Sequence, residues 1–264
     1  MVDVMAEIYK QIGDSDYNQD VKDYLDTGLK NLNMIVSGKY DGGWPVGRII
    51  EIYGGPSSGK TLLATRACIE TQNKGGLAVF LDFEHAFMLS RAVDLGLNSD
   101  PALWIYKQPE TAEKGFKMIE LIAQTIRAKH PNKFVTVVVD SIASMVTKAE
   151  METEYGDDNM KTRLSLPMCM SVNLKNLNKV VSKTNITLIF LNQTRDNPTV
   201  IYGDKETQPG GNATKFFASV RVKLSKTGKI KNPENEKEII GENVKAMTVK
   251  NKVFEPFKDT TYIT

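Results

Sequence analysis

The run GGPSSGKT, from Gly54 to Thr61, fits the spacing G-x-x-x-x-G-K-[ST]. The chemistry open to such a stretch is the cradling of a polyphosphate. Gly54, Gly55, Pro56, Ser57, Ser58 and Gly59 form the turn. Its small residues let backbone N–H groups face an anion at the positive end of a following helix. Lys60 would reach the outer phosphates, and Thr61 would offer its hydroxyl to Mg2+. A Gly/Ser-rich turn could match the pattern by chance. Against that, an apolar β run precedes the motif and a helical pattern follows it.

Three more residues could act with this loop. Asp140 closes the apolar run FVTVVVD, where a carboxylate can anchor Mg2+ through a water or, more plainly, cap the next helix. Glu84 lies just past LAVFLD, in LDFEHAF, where a carboxylate could polarise an attacking water. Asp82 competes with it, and an acid at a helix N-terminus is the plain alternative. Gln193 ends the apolar run TLIFLNQ and releases a long loop that closes at QPGGN. Loops longer than about 12–15 residues inside a domain are usually functional or disordered.

The elements that must position these residues alternate. RIIEIYG (48–54), LAVFLD (77–82), LWIYKQ (103–108), FVTVVVD (134–140) and residues 187–192 read as buried strands. Between them, residues 59–73, a segment ending near Leu95, residues 110–129 (apolar at Phe116, Ile119, Ile122 and Ile126) and about 165–183 read as helices. SVRVKLSKTG and ENVKAMTVKNK read as antiparallel strands. The class is therefore α/β, a mainly parallel sheet with helices on both faces and antiparallel strands at the C-terminal end. Sites in such sheets lie at the C-terminal strand ends. Residues 1–26 are expected to be a short helix (3–12) and linker, with a single core over 27–264.

The totals exclude several classes. The chain has 264 residues, 41% hydrophobic and 25% charged, with net charge +2. No apolar run approaches the ~20 residues of a membrane span, so no membrane partner is expected. The N-terminus lacks the layout of a signal peptide. Cys68 and Cys169 stand far apart, without a CxxC pattern, which points to a reducing, cytoplasmic setting and away from a disulfide or zinc scaffold.

Taken in order, GRIIEIYGGPSSGKT, FLDFEHA, VVVDSIASMVTKAEME, LIFLNQTR, GGNATKFFASVR and VKNKV resemble the ATPase core of the RecA recombinase family over about residues 27–264. The resemblance implies a DNA-dependent ATPase that uses ATP and Mg2+. Such a protein assembles as a helical homo-oligomeric filament on single-stranded DNA, pairs it with homologous double-stranded DNA and exchanges strands. It assigns catalysis to Glu84 with Lys60 and Gln193, Gln193 sensing the γ-phosphate and opening a DNA-binding loop over about 194–211. Arg195, Thr199, Tyr202, Gly210, Gly211 and Asn212 belong to that loop and its close. A first DNA loop, about 156–164, would place Met160 near bases and Lys161 and Arg163 on phosphates. Lys250 and Lys252, with Phe216, would meet a neighbouring subunit's ATP.

The chain also departs from the pattern. Arg91 stands where the family commonly stacks an aromatic on adenine, and a guanidinium can stack there instead. The first loop is about three residues longer. The N-terminal docking region is short and polar, and no C-terminal accessory domain is expected, as would suit a compact member borne by a virus or mobile element. Two other readings use the same motifs: a ring helicase on a RecA-like core, and an annealing protein that binds single strands with ATP as a static switch.

Overall fold

The computed structural model describes residues 7, 10, 20–153, 160–196 and 206–264. Of the expected N-terminal helix only Glu7 and Lys10 fall among these, both helical. The core begins ahead of residue 27. A short pair, β1 (Tyr24–Leu25) with β2 (Trp44–Pro45), brackets helix α1 (Lys30–Ser37), and Leu25 and Trp44 are buried.

Five parallel strands follow: β3 (Ile49–Gly54), β4 (Leu77–Asp82), β5 (Trp104–Lys107), β6 (Val135–Asp140) and β7 (Ile186–Gln193). Each matches its expected run to within a residue or two. Their β-branched and aromatic side chains suit a pleated surface covered on both sides. Helices α2 (Lys60–Asn73), α3 (Leu89–Asp94), α4 (Ala112–Lys129), α5 (Lys148–Met151) and α6 (Met160–Val181) lie in the connections. A two-residue pair, β8 (Arg195–Asp196) with β9 (Glu206–Thr207), then precedes α7 (Ala213–Phe217). Strands β10 (Val220–Asn232), β11 (Asn235–Asn251) and β12 (Asp259–Ile263) complete one sheet of order β12-β11-β10-β3-β7-β6-β4-β5.

Alternation along the strands divides the core in two. Ile50, Ile52, Phe80, Val138 and Ile189 face α1 and α2, through Leu32, Val36, Leu63 and Ala67. Ile49, Val79, Leu81, Val137 and Phe190 face α4 and α6, through Phe116, Ile119, Met170 and Leu174. Each such fully buried large side chain contributes roughly 1.5–3 kcal/mol relative to exposure. In α4 the expected stripe holds, with Ile122 only partly buried, and Thr111 caps the helix by accepting from the Lys114 N–H at 3.2 Å.

Three features differ from the sequence reading, and one, the parallel pairing of β10 with β3, adds to it. Helix α6 starts at Met160, ahead of 165, and runs through Pro167. Its buried row Leu166, Met170, Leu174, Leu177 and Val181 carries it past a residue that lacks a backbone donor. The segment after β4 is a turn, not a helix, as far as Met88, for a reason that lies in Asp82. Strand β10 is antiparallel to β11 but parallel to β3. Strand β12 was not expected at all.

Strands β10 and β11 also run well past the sheet. β3 covers only Val220–Leu224, and β12 only Asn243–Met247, so from Gly228 to Gly241 the two strands pair only with each other. The register of this arm shifts between Lys226 and Gly228, between Ile230 and Lys231, and between Lys231 and Asn232. Among the described residues no helix is long and apolar enough to cross a membrane. Cys68 and Cys169 are both free, Cys68 buried in the core.

Candidate active site

The C-terminal ends of β3, β7, β6 and β4 lie side by side. A cavity of about 600 Å3 is lined by residues that follow β3 and β4 and by Gln193 at the end of β7, but not by Gly54, Gly55 or Asp140. Gly54 stands opposite Gln193, and Asp82 opposite Asp140, in the strand register. Gly54 is required by close approach, because a Cβ there would sit 2.3 Å from the Leu224 carbonyl oxygen. Gly59 caps α2 with φ 86°, a left-handed value that glycine adopts without steric cost. The first N–H groups of α2 have no acceptor within the helix and point out of its end.

Lys60 lies beneath the loop, only 9% exposed. Its Nζ donates to the carbonyls of Gly55 at 2.7 Å and Gly54 at 3.2 Å. Burial lowers its pKa, while the carboxylates of Asp140 and Glu84 oppose that shift. The Ser58 hydroxyl is fully buried and has no hydrogen-bond partner among the described residues. A buried ammonium resting on carbonyls, an unpartnered hydroxyl and a free helix end form a donor set that fits a polyphosphate.

Thr61 Oγ1 donates to Asp140 Oδ2 at 2.9 Å, so the two expected magnesium residues touch. Burial pushes the Asp140 carboxyl up to about 7. The Thr61 hydrogen bond opposes the rise, Glu84 and Asp82 add to it, and Lys60 opposes it. A hydroxyl beside a carboxylate that favours its proton without a counter-charge is a donor set that fits a hard divalent cation.

Asp82 is not available as a base. It is 1% exposed. Its Oδ1 accepts the N–H groups of Glu84 (3.0 Å) and His85 (2.8 Å). Its Oδ2 accepts the Phe87 N–H (3.1 Å) and the Tyr106 hydroxyl (2.8 Å). This carboxylate folds residues 83–88 into a turn in place of the expected helix, with His85 at φ 57°. The Asp140 carbonyl holds the same turn from below, accepting from the Phe83 and Glu84 N–H groups at 2.6 and 3.1 Å. Glu84 is thereby set at the cavity mouth, exposed, where Gln193 Nε2 donates to its Oε1 at 3.5 Å. Pro56 through Thr61, Glu84, Arg91 and Gln193 all line the cavity. So do Leu62, Thr65, Phe87, Met88, Leu95 and Thr264, which carry no sequence signal of a site.

A second group lies elsewhere. Phe216 is 71% exposed on α7. Lys250 Nζ donates to the carbonyls of Lys215 (2.7 Å) and Phe216 (2.8 Å), capping that helix. Burial, then the nearby Lys252 and Arg221, lower the Lys250 pKa to about 8. Lys252 is exposed, and none of the three lines the cavity.

Of the expected DNA-contact residues, Met160 is 79% exposed at the head of α6. Gly210 and Gly211 take left-handed φ of 81° and 72° and pack on Ile142 and Pro167, leading into Asn212 at the start of α7. The side chains of Lys161, Arg163 and Arg195, and all of Thr199 and Tyr202, lie outside the described residues.

The sequence model of the RecA N-terminal domain matches residues 6–263. The chain belongs to the RecA family. Its relatives include the protein RecA of Desulforapulum autotrophicum, 42% identical over 221 residues, which cover 84% of this chain and 60% of that protein. That of Leptospira meyeri is 39% identical over 244 residues, 90% of this chain and 59% of the relative. That of Bacteroides thetaiotaomicron is 41% identical over 252 residues, 96% and 71%. The chain thus spans about three-fifths of the length of the first two. The architecture described above, parallel sheet, helices on both faces and antiparallel strands at the C-terminal end, is the RecA-like α/β core that the sequence resemblance implies.

Proposed function

We propose that this RecA-family chain is a DNA-dependent ATPase. With ATP and Mg2+ it assembles as a filament on single-stranded DNA and exchanges that strand with a homologous duplex. One observation carries the reading: Gln193, which opens the loop toward residues 194–211, meets Glu84 at the mouth of the phosphate-binding cavity. A single strand end thus serves both the nucleotide and the candidate DNA loop.

In this reading the loop N–H groups and Lys60 bind the β- and γ-phosphates, Lys60 exchanging its carbonyl partners for phosphate oxygens. Thr61 and, through water, Asp140 would hold Mg2+, which would supply charge neutralisation when bound. Glu84 Oε1 orients a water and takes its proton as the water oxygen bonds to the γ-phosphorus. The bond from that phosphorus to the bridging oxygen breaks, leaving ADP and phosphate. Gln193 reads the γ-phosphate, and its release from Glu84 is the signal that reaches the loop. Phe216, Lys250 and Lys252 are assigned to a neighbouring subunit's nucleotide, and head-to-tail contacts that do not close give an open helix. Met160 and the loop residues Lys161, Arg163, Arg195, Thr199, Tyr202, Gly210, Gly211 and Asn212 are assigned to DNA. Neither a ring helicase nor a static-switch annealing protein is favoured by the family match over residues 6–263.

The deciding measurement is phosphate release with and without single-stranded DNA, joined to electron microscopy of the same mixtures. Hydrolysis should rise several-fold with DNA, and open filaments should form. Closed rings, or turnover indifferent to DNA, would overturn the reading.

Asp140 adds a pH dependence. Its folded pKa of about 7 lies above the ordinary 3.8, so the nucleotide-free fold holds a proton there that the unfolded chain does not. The resulting stabilisation is lost as pH rises through about 7. Mg2+ bound with nucleotide favours the carboxylate. Binding at pH 6.5 should therefore release a proton, seen as a calorimetric enthalpy that varies with buffer ionisation heat. The effect should fade above pH 8, and an enthalpy independent of buffer at pH 6.5 would contradict the assignment.

A further inference from the structure

Glu51 stands in the middle of β3 with none of its surface exposed. A carboxylate in such a place is costly unless it is fully paired, and this one is. Its Oε2 accepts from Arg221 Nε, and its Oε1 accepts from Asn192 Nδ2 and Thr214 Oγ1, both at 3.1 Å. The partners extend the network. Arg221 also donates to Gln208 Oε1 at 2.7 Å and lies over the Tyr53 ring at 4.9 Å. Asn192 Nδ2 reaches the Pro209 carbonyl at 3.3 Å, and Asn192 Oδ1 accepts the Gln193 N–H at 2.9 Å.

One carboxylate therefore holds the residue before Gln193, the returning end of the loop at Gln208–Pro209, and the helix that carries Phe216. None of Glu51, Asn192, Thr214 and Arg221 lines the cavity. Stability alone is a weak reason for the arrangement, since apolar residues can replace buried ion pairs without loss. We propose that Glu51 is a positioning residue that couples the nucleotide end of β7 to α7, so that a change at Gln193 moves Phe216 and the Lys250 cap with it. When Gln193 shifts, Asn192 shifts, and both Asn192 and Thr214 share Oε1. Helix α7 must then follow or lose the hydrogen bond from Thr214 to the sheet interior. The inference rests on the proposed function, because its output is a nucleotide-dependent gain in DNA affinity.

Thr214→Val tests it. Valine keeps the shape of this buried residue and removes only the hydroxyl, while Glu51 keeps Arg221 and Asn192. The variant should bind a fluorescent ATP analogue within about twofold of wild type, since the cavity is untouched. Its ATP-dependent gain in affinity for a single-stranded oligonucleotide should fall about tenfold, within the usual range of site coupling. Thr214→Ser, which restores the hydroxyl but not the methyl group, should recover the gain. A role in packing alone would leave serine no better than valine. Combined with Gln193→Ala, Thr214→Val should add no further loss, because both cut one chain of contacts. A full gain in Thr214→Val, failure of serine to rescue, or additive losses in the double variant would each overturn the coupling. A wild-type protein with no ATP-dependent gain would instead overturn the function on which the inference stands.

Discussion

Glu84→Gln should hydrolyse ATP on the order of 10²–10⁴-fold more slowly than wild type while binding it equally well. Two nearby carboxylates are already committed. Asp82 accepts three backbone N–H groups and a tyrosine hydroxyl, and Asp140 bonds Thr61. Neither can take a proton from an attacking water without breaking the turn or the Thr61–Asp140 pair. Glu84 alone is exposed at the mouth, with its backbone pinned to both. Glutamine keeps its length and can still bond Gln193 but accepts no proton. Single-turnover hydrolysis, beside equilibrium binding of a non-hydrolysable analogue, separates the two effects. A rate within a few-fold of wild type would place the base elsewhere.

The second large effect belongs to Gln193→Ala. Nucleotide affinity should be retained, because the phosphate loop, Lys60 and the Thr61–Asp140 pair supply most of it. The ATP-dependent gain in single-stranded DNA affinity should fall by 5–150-fold, about 1–3 kcal/mol. Alanine leaves Glu84 without its amide partner and the γ-phosphate without a link to the loop. If Gln193 merely ended its strand, the variant would be less stable and still coupled. Hydrogen exchange over residues 194–211, with a non-hydrolysable analogue and DNA, discriminates. Equal gain of protection in variant and wild type would remove Gln193 from the switch.

What the sequence made legible was local. The phosphate loop could be read because motif, strand and helix lie within residues 48–73, and the central strands because β-branched runs are contiguous. What it hid was assembled from afar. Spacing alone left Asp82 and Glu84 as rivals, since one ends β4 and the other lies two residues past it; the inward direction of Asp82, set by strand alternation and four donors, separates them. Glu51 reads as one acid in an apolar run, because its partners lie 141, 163 and 170 residues away. Lys250 reads as an exposed strand lysine, yet it closes the end of a helix 34 residues distant. Helix α6 begins at Met160, ahead of the expected 165, and tertiary burial of its apolar row carries it through Pro167. β12 went unread because DTTYI is mostly polar and its burial depends on the neighbouring strand.

The arm formed by β10 and β11 has a consequence for crowding. A two-stranded ribbon with open edges would ordinarily invite another ribbon to zip along it. Here the ladder slips out of step three times between Lys226 and Asn232. Each slip bends the strand and re-aims its amides. Lys229 and Lys231 on β10, and Glu234, Glu236, Lys237 and Glu238 at the turn and on β11, stand along the same arm, so a sideways approach also strips water from charges. In a protein proposed to line up in long head-to-tail series, slipped register and charge both disfavour edge-to-edge pairing of neighbouring threads along this arm, and the exposed Ile239 and Ile240 are the apolar part of its flank.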